Sequence, residues 1–454
     1  MDAVTALKKL GYTVDDSTHK YIPLWEEMYK GNIEGFHKYS EWNGKKLVNK
    51  KRKTLGMPKK ACEDWADNIF NDNVYITVDD DYQETFDGCL KLTKFRKRFP
   101  YQIELSFGLG TGALVEFKDT QGNPVIDMIR ADMIYPLEVE NGEIVSCAFA
   151  SEQDGKLLYL NIHKKLDNGN YLIENRYYKQ EKKKLLPFKK SKVKESYISK
   201  VKMFQIIKPA IVNSMELNSS MGMSVYAKAE DEMKSTDIDY DSLDNEIEVG
   251  KKRQYVKVGG LGIQVTEDGE TVPIFDNDQT TFYILPGEEG EEGTVVQETQ
   301  SDLRIQAITD ALQTNLNLFG RKVGLGDDYY SFKDGSVYTN TSQVISSNSR
   351  FYKTLKKHEK MIQDVIVELV EALYYLQYDS FYLGDVTIDF DDSIVEDSEA
   401  IQRQALLEKN SGLIDNVQYY MDVYKLTEDQ AIEFNKKIQE RLREQTPEEP
   451  PIEE

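Results

Sequence analysis

Apolar residues recur at Leu355, Ile362, Val365, Ile366, Leu369, Val370 and Leu373 within the stretch Thr341–Tyr378. Their steps of three and four place one continuous stripe on a helix roughly 40 Å long. The first half of that helix is basic, through Lys353, Lys356, Lys357 and Lys360, and the second half is acidic, through Asp364, Glu368 and Glu371. This polarity opposes the helix dipole, which favours anions at the N-terminus and cations at the C-terminus. Groups outside the helix are therefore expected to compensate it. Ser346, Ser347, Asn348 and Ser349 compete for backbone hydrogen bonds and favour caps and turns, which predicts a break or kink there.

The first 70 residues read as helical. Val4, Leu7 and Leu10 mark one short helix, and Tyr21 to Tyr29, with Trp25 and Met28, marks a second. After the basic run KKLVNKKRKTLGMPKK, Pro58 suits the first residue of a helix carrying Cys62, Trp65, Ala66 and Ile69. The run itself is either a contact for phosphates or an acidic neighbour, or a solvated helix-entry face. VYITV reads as a strand, and residues 88–98 as a helix ending in Lys94, Arg96, Lys97 and Arg98. In FGLGTGALVEF, no Gly-Lys-Ser/Thr follows Gly108, Gly110 and Gly112, so the glycines predict close backbone packing before a strand rather than a phosphate loop.

From Ala113 to about Met203, turn signals such as Asn141-Gly142 and Asp154-Gly155 separate strand-like runs, the spacing of an antiparallel meander. At Ser224 a helical pattern begins, with Val225, Ala229, Met233, Tyr240, Leu243 and Ile247 as its stripe and a strongly acidic polar side. A β-rich excursion follows. A second amphipathic helix then starts near Ser301 or Asp302, with Ile305, Ile308, Leu312, Leu316 and Phe319 as its stripe. Together they predict an antiparallel helical hairpin with a small tip module. Val386 to Phe390 alternates as a strand. Three short helices come next, marked by Ile401, Ala405 and Leu406, by Val417, Tyr420 and Met421, and by the capping box Thr427-x-x-Gln430 with Ile432 and Ile438. The proline- and glutamate-rich tail from Glu444 reads as disordered.

Composition narrows the function classes. The 454 residues carry a net charge of -22, which argues against a protein that coats nucleic acid through a basic surface, though not against one that lets DNA pass without gripping it. Cys62, Cys89 and Cys147 are odd in number and form no Cys-x-x-Cys pair, so reduced, cytoplasmic thiols are expected. No apolar h-region opens the chain and no window approaches a membrane span. Twenty-eight tyrosines against three tryptophans suit extensive half-wet contact surfaces. The acidic turn Asp79-Asp80-Asp81 has Glu84 where a calcium loop needs glycine. Asp385, Asp389, Asp391 and Asp392 lack companion histidines, the chain's four being scattered at His19, His37, His163 and His358. No catalytic constellation is present in the sequence, so neither enzyme activity, a metal nor a cofactor is expected.

The order of segments is more specific. RKTLGMPKKACEDWADNIFNDNVYITV, MGMSVYAKAEDEMKSTDIDYDSLDNEIEVGKKR, TSQVISSNSRFYKTLKKHEKMIQDVIVELVEAL and VTIDFDDSIVEDSEAIQRQALLEKNSGLIDNVQYY follow one another in a succession that resembles the portal proteins of tailed bacteriophages, particularly the branch of siphophages of Gram-positive hosts. The resemblance implies an α+β portal fold. Its wing would span residues 1–223, its stem helices 224–250 and 301–325, and its small α/β clip 251–300. A wing return with tunnel loop and long helix would cover 326–395, a helical crown 396–443, and a disordered acidic tail 444–454.

It further implies a homo-oligomeric ring, usually of twelve subunits, at the capsid vertex of the virion. Double-stranded DNA would pass through it without sequence specificity. The terminase large subunit, a head-completion adaptor and the major capsid and scaffolding proteins would be its partners, with no membrane involved. Carried onto this chain, Glu230, Asp237, Asp241, Asp244 and Glu248 become candidate channel-lining acids, with a solvent-facing role outside the ring as the alternative. Ser346, Ser347, Asn348 and Ser349 become the candidate tunnel loop, with residues 327–340 as the alternative. Lys51, Arg52, Lys53, Lys356 and Lys357 become candidate inter-subunit contacts, and Glu288, Glu289, Glu291 and Glu292 the candidate clip docking surface. Competing expectations are a tail or baseplate structural protein, and a metal-dependent nuclease using Asp385, Asp389 and Asp391.

Overall fold

The computed structural model describes residues 3–42, 44–153, 157–181, 184–189, 194–250, 253–257, 263–265, 271–273, 282–285, 296–299, 302–331, 341–390, 405–424 and 428–445. Helices α1 (Ala3–Lys9) and α2 (Ile22–Tyr29) open the chain where the spacing predicts them. The chain then forms an antiparallel hairpin, β1 (Lys38–Trp42) and β2 (Leu47–Lys51). This corrects the expectation of an all-helical first 70 residues. The sequence between the two strands contains Asn43-Gly44, a favoured hairpin-turn signal.

Helix α3 (Met57–Ile69) begins with Pro58 in its first turn and buries Ala61, Cys62, Trp65, Ala66 and Ile69. Strand β3 (Tyr75–Thr77) leads to α4 (Asp80–Leu92) and α5 (Phe95–Leu109). The single helix expected over residues 88–98 is thus two. Lys94, with φ of 54°, turns the chain between them. Phe95, Phe99, Ile103 and Phe107 repeat every four residues along α5, and all are fully buried.

Beyond α5, Gly110 lies against the backbone of a distant segment. A Cβ there would stand 2.8 Å from the carbonyl oxygen of Gly222, and one at Gly222 would strike the carbonyl of Gly110. The close backbone packing read from the glycines is borne out. The chain then forms β4 (Gly112–Lys118) and β5 (Pro124–Arg130), β6 (Ile134–Glu140), β7 (Glu143–Gln153) and β8 (Leu157–Lys165), β9 (Tyr171–Glu181), β10 (Lys184–Phe188), β11 (Ser196–Ser199) and β12 (Phe204–Ile207). One sheet has the order β10-β9-β8-β7-β6, with β11 on β9, and the other the order β12-β4-β5. Every pairing in both is antiparallel, as the turn spacing predicts.

Helix α6 (Glu230–Val249) leaves the sheets, the short strands β13 (Arg253–Lys257), β14 (Ile263–Val265), β15 (Thr271–Pro273), β16 (Phe282–Leu285) and β17 (Val296–Thr299) follow, and α7 (Ile305–Val323) returns alongside α6. Helix α8 (Thr341–Tyr378) is continuous, so the break expected at Ser346 to Ser349 is absent. Serine and asparagine cost only ~0.5 kcal/mol each in a helix interior relative to alanine, and propagating an existing helix is favourable. The predicted stripe from Leu355 to Leu373 is buried. Helix α8 lies against β12, β4 and β5 as well as α3 and α4. Glu368, in its acidic half, pairs with Lys202 at 2.7 Å, so part of the expected compensation comes from within the chain.

Strand β18 (Thr387–Asp389) pairs antiparallel with β3. Helical turns over 405–410 and helices Asn416–Tyr424 and Glu428–Gln445 follow. Ile401, Thr427 and residues 446–454 lie outside the described residues. One hydrophobic core runs from Ile22 to Leu373, and a smaller cluster packs α1 on Ala148, Ala150, Leu158, Leu160 and Ile162. The fold is α+β.

Candidate functional site: the two-helix arm and its basic clamp

Before α6 starts, residues 224–229 pack into the body. The Val225 N–H donates to the Phe107 carbonyl at 3.0 Å, and the Tyr226 hydroxyl donates to the Trp25 carbonyl at 2.8 Å. These contacts hold Ser224 in a turn and delay the helix to Glu230, six residues later than its apolar spacing predicts. Along α6, Met233 is buried, Tyr240 and Leu243 are half-buried, and Ile247 is exposed. Along α7, Val323, Phe319, Leu316 and Leu312 are buried, Ile308 is half-buried and Ile305 is exposed. Burial fades from the body outwards, so the pair forms an arm rooted in the core.

Polar ties join the helices along its length. Lys322 meets Glu232 at 2.7 Å near the body, and the Asn315 amide donates to Asp239 at 2.6 Å midway. At the far end the Arg304 guanidinium donates to both oxygens of Glu246, at 3.2 and 2.8 Å, and the Arg304 N–H donates to the same carboxylate at 3.0 Å. That last bond satisfies an N–H at the start of α7. The N-cap expected at Ser301 or Asp302 is therefore replaced by a carboxylate from the neighbouring helix.

The root of the β1–β2 hairpin clamps the acidic side of α6. His37 Nδ1 accepts from the Ile33 N–H at 2.9 Å, which leaves the ring proton on Nε2 to be donated to Asp237 Oδ2 at 2.9 Å. The other oxygen of Asp237 accepts from the Leu55 N–H at 2.8 Å. Both side chains of the pair are buried. Further out, the Lys53 N–H donates to Asp241 at 3.2 Å, and its ammonium meets Asp244. Arg52 donates to the Phe36 carbonyl at 2.8 Å, and its guanidinium lies 4.3 Å from the Phe36 ring centre and 4.9 Å from that of Tyr39.

These contacts revise several candidates. Asp237 is buried and cannot line a channel, because its oxygens are committed to His37 and Leu55. Asp241 and Asp244 are half-buried and engaged by Lys53, and Glu230 pairs with Lys234 at 2.6 Å. Glu248 is exposed. Lys53 and Arg52 make contacts within their own chain, and Lys356 pairs with the buried Glu359 at 2.9 Å. Lys51 and Lys357 are exposed. Glu288, Glu289, Glu291, Glu292 and Asp391 lie outside the described residues, as do residues 332–340 of the alternative tunnel loop. Ser346, Ser347, Asn348 and Ser349 have helical backbone. Among the described residues no group of three or more His, Cys, Asp and Glu side chains could hold a metal ion, and no helix is long and apolar enough to cross a membrane.

Sequence reasoning did not single out two buried polar groups. His37 is one. Glu116 is the other, on β4, where burial pushes its carboxyl up to about 8. Its Oε2 accepts from Gln205 Nε2 at 3.1 Å, while Glu116 Oε1 and Gln205 Oε1 are both buried and unmatched. A glutamate in the alternation of FGLGTGALVEF was the available signal.

No family model matches the chain, and no curated protein matches it. Among solved structures, a chain in the virion of a native gene transfer agent particle is similar with a TM-score of 0.41 at 12% identity, over 88% of this chain and 92% of that one. A chain in the neck of an empty gene transfer agent particle, computed with C6 symmetry, gives 0.41 and 12% over 89% and 93%. A chain in the neck of the native particle, computed with C12 symmetry, gives 0.37 and 12% over 81% and 89%. Likenesses at TM-scores of this size carry no argument about function.

Proposed function

We propose that this chain is a portal-type subunit, structural rather than catalytic, which assembles into a ring at the capsid vertex of a virion. One observation carries the reading. The chain leaves its α+β body along α6, makes a short β excursion and returns along α7, and the two-helix arm loses burial steadily with distance from the body. A ring of such subunits brings the arms together around an axis and leaves the β excursions at one end. The ring then serves as the passage for double-stranded DNA during packaging and ejection. The excursion meets the terminase large subunit and later a head-completion adaptor, while the body faces the major capsid and scaffolding proteins.

The described acids of α6 give this passage a modest charge, because most of them are paired within the chain. A modest negative charge repels phosphate weakly and suits a passage whose cargo must slide, since several lysine or arginine contacts to phosphates would hold it in a salt-dependent way. The test is the mass of the purified chain under native conditions, with negative-stain images of the same sample. A closed ring with a central opening is expected. A monomer at every concentration, with or without scaffolding protein, would remove the reading.

A further inference from the structure

Positive charge is concentrated at the corner between α4 and α5. Lys91 lies in the last turn of α4, Lys94 turns the chain and Lys97 stands in the first turn of α5, so a lysine recurs every third residue around the corner. All three are exposed, and among the described residues none is paired with a carboxylate. Residues 88–103 contain five cations and no aspartate or glutamate, in a chain of net charge -22. The flanking carboxylates are engaged elsewhere. Asp87 accepts from Gln83 Nε2 at 3.2 Å, and Glu104 accepts from the Tyr29 hydroxyl. The first turn of α5, where helices favour carboxylates, has none.

Lys94 adds a separate sign. Its φ of 54° is a conformation that glycine or asparagine adopts more easily, so an ammonium is held at the apex of the corner at a cost in backbone energy.

Two properties select a phosphate backbone over an acidic protein surface. Protein interfaces are enriched in arginine and depleted in lysine. Here the arginines turn to backbone, Arg96 Nη1 donating to the Val74 carbonyl at 2.8 Å and Arg98 Nη1 to the Ile126 carbonyl at 3.1 Å, while the lysines are left free. A duplex also presents one charge per ~1.7 Å of its axis, so cations three residues and at most about 11 Å apart meet phosphates without a fitted register. Tyr101, one turn beyond Lys97 and 61% exposed, brings a hydroxyl that can donate to a phosphate oxygen.

We propose that this corner is a sequence-independent contact for the phosphate backbone of duplex DNA, separate from the two-helix arm. It holds the duplex, whereas the arm lets it slide. The inference rests on the reading above for its cargo and does not need the ring.

The test is binding of a short, fluorescently labelled duplex of mixed sequence to the full-length chain, followed by anisotropy over a range of salt concentrations, with native mass recorded on the same samples. Lys91→Gln, Lys94→Gln and Lys97→Gln together should weaken binding at least tenfold at low salt. They should also lower the slope of log affinity against log salt by about 2–3 units, since each lost contact removes roughly 0.9. Lys8→Gln, Lys9→Gln and Lys200→Gln remove the same charge from exposed lysines elsewhere and should change neither quantity. Lys94→Gly guards against misfolding. It relieves the backbone, should not lower the melting temperature, and should still reduce the slope by about one unit.

Equal binding by the corner and control variants, or no binding of duplex by the unmodified chain at low salt, would overturn the contact. Rings that form normally beside such a result leave the portal reading standing. A monomer that binds duplex through the corner removes the ring and keeps the contact. A corner variant that binds duplex as before but no longer assembles would assign the corner to an acidic protein surface and overturn the proposal.

Discussion

His37 and Asp237 lie 200 residues apart in sequence and meet at 2.9 Å in the interior, with the imidazole as donor. His37→Ala leaves the carboxylate buried with the Leu55 N–H as its remaining donor of that pair of bonds. The expected loss is about 3 kcal/mol in unfolding by urea, because a buried acceptor loses its hydrogen-bond donor. Asp237→Asn places an amide donor against one of two N–H groups and should cost less, about 1–3 kcal/mol. If both variants unfold at the wild-type midpoint, the clamp does not anchor the arm.

The pairing of Glu116 with Gln205 predicts a pH dependence. Burial raises the Glu116 carboxyl to about 8 in the folded chain, against an ordinary 4.5. The folded state therefore holds a proton that the unfolded state has released. Stability from this group is full below about 4.5, falls as pH rises towards 8, and levels off above it. Lys202 and Glu368 are the charged groups acting on Glu116, and Tyr197 in turn feels its charge. Glu116→Gln supplies a permanent donor towards the unmatched Gln205 Oε1. It should flatten that part of the melting-temperature profile and raise stability near pH 8. A profile with the same slope as the unmodified chain would contradict the assignment.

Gly222→Ala should be poorly tolerated, because its Cβ would meet backbone at Gly110 rather than a movable side chain. A loss of about 1–3 kcal/mol or more is expected by denaturant unfolding. Gly122→Ala is the comparison, since nothing lies within 4 Å of its Cβ and only its positive φ opposes the change.

Ser347→Ala should leave α8 intact and stabilise it by a few tenths of a kcal/mol, about 0.5 at most. Ser347→Pro should lower helicity in circular dichroism and cost about 3 kcal/mol if the continuous helix supports the fold. Equal behaviour of the two variants would restore the break expected from the serines.

What the sequence made legible follows from where each signal acts. The α8 stripe, the α5 phenylalanines and the meander are local periodicities enforced by one large core, so spacing alone locates them. The glycines at 108, 110 and 112 also announced close packing, although Gly222 could not be recognised as the partner from spacing. The hairpin was hidden because a run of lysines resembles a helix-entry face, and its Asn43-Gly44 signal stood among polar residues with no apolar alternation around it. The acids of α6 looked uniform along the helix. Their fates diverged through contacts with His37, Lys53 and Arg304, which come from segments distant in sequence. The serines near 347 argued for a break on local hydrogen bonding, and the cooperativity of a long helix overrode them.

The pairing of β3 with β18 also sets an order of events. Asp79 and Tyr382, which bond beside it, are 303 residues apart. At synthesis rates of ~5–20 residues per second, β3 emerges well before the strand that completes it, roughly 15–60 s earlier. During that interval its edge is an open template for any extended chain nearby. The two-helix arm needs no such wait, since α6 and α7 are close in sequence. Translation therefore delivers the arm before the body can seal, and a product truncated ahead of residue 387 would carry a formed arm on an unsealed, aggregation-prone sheet edge.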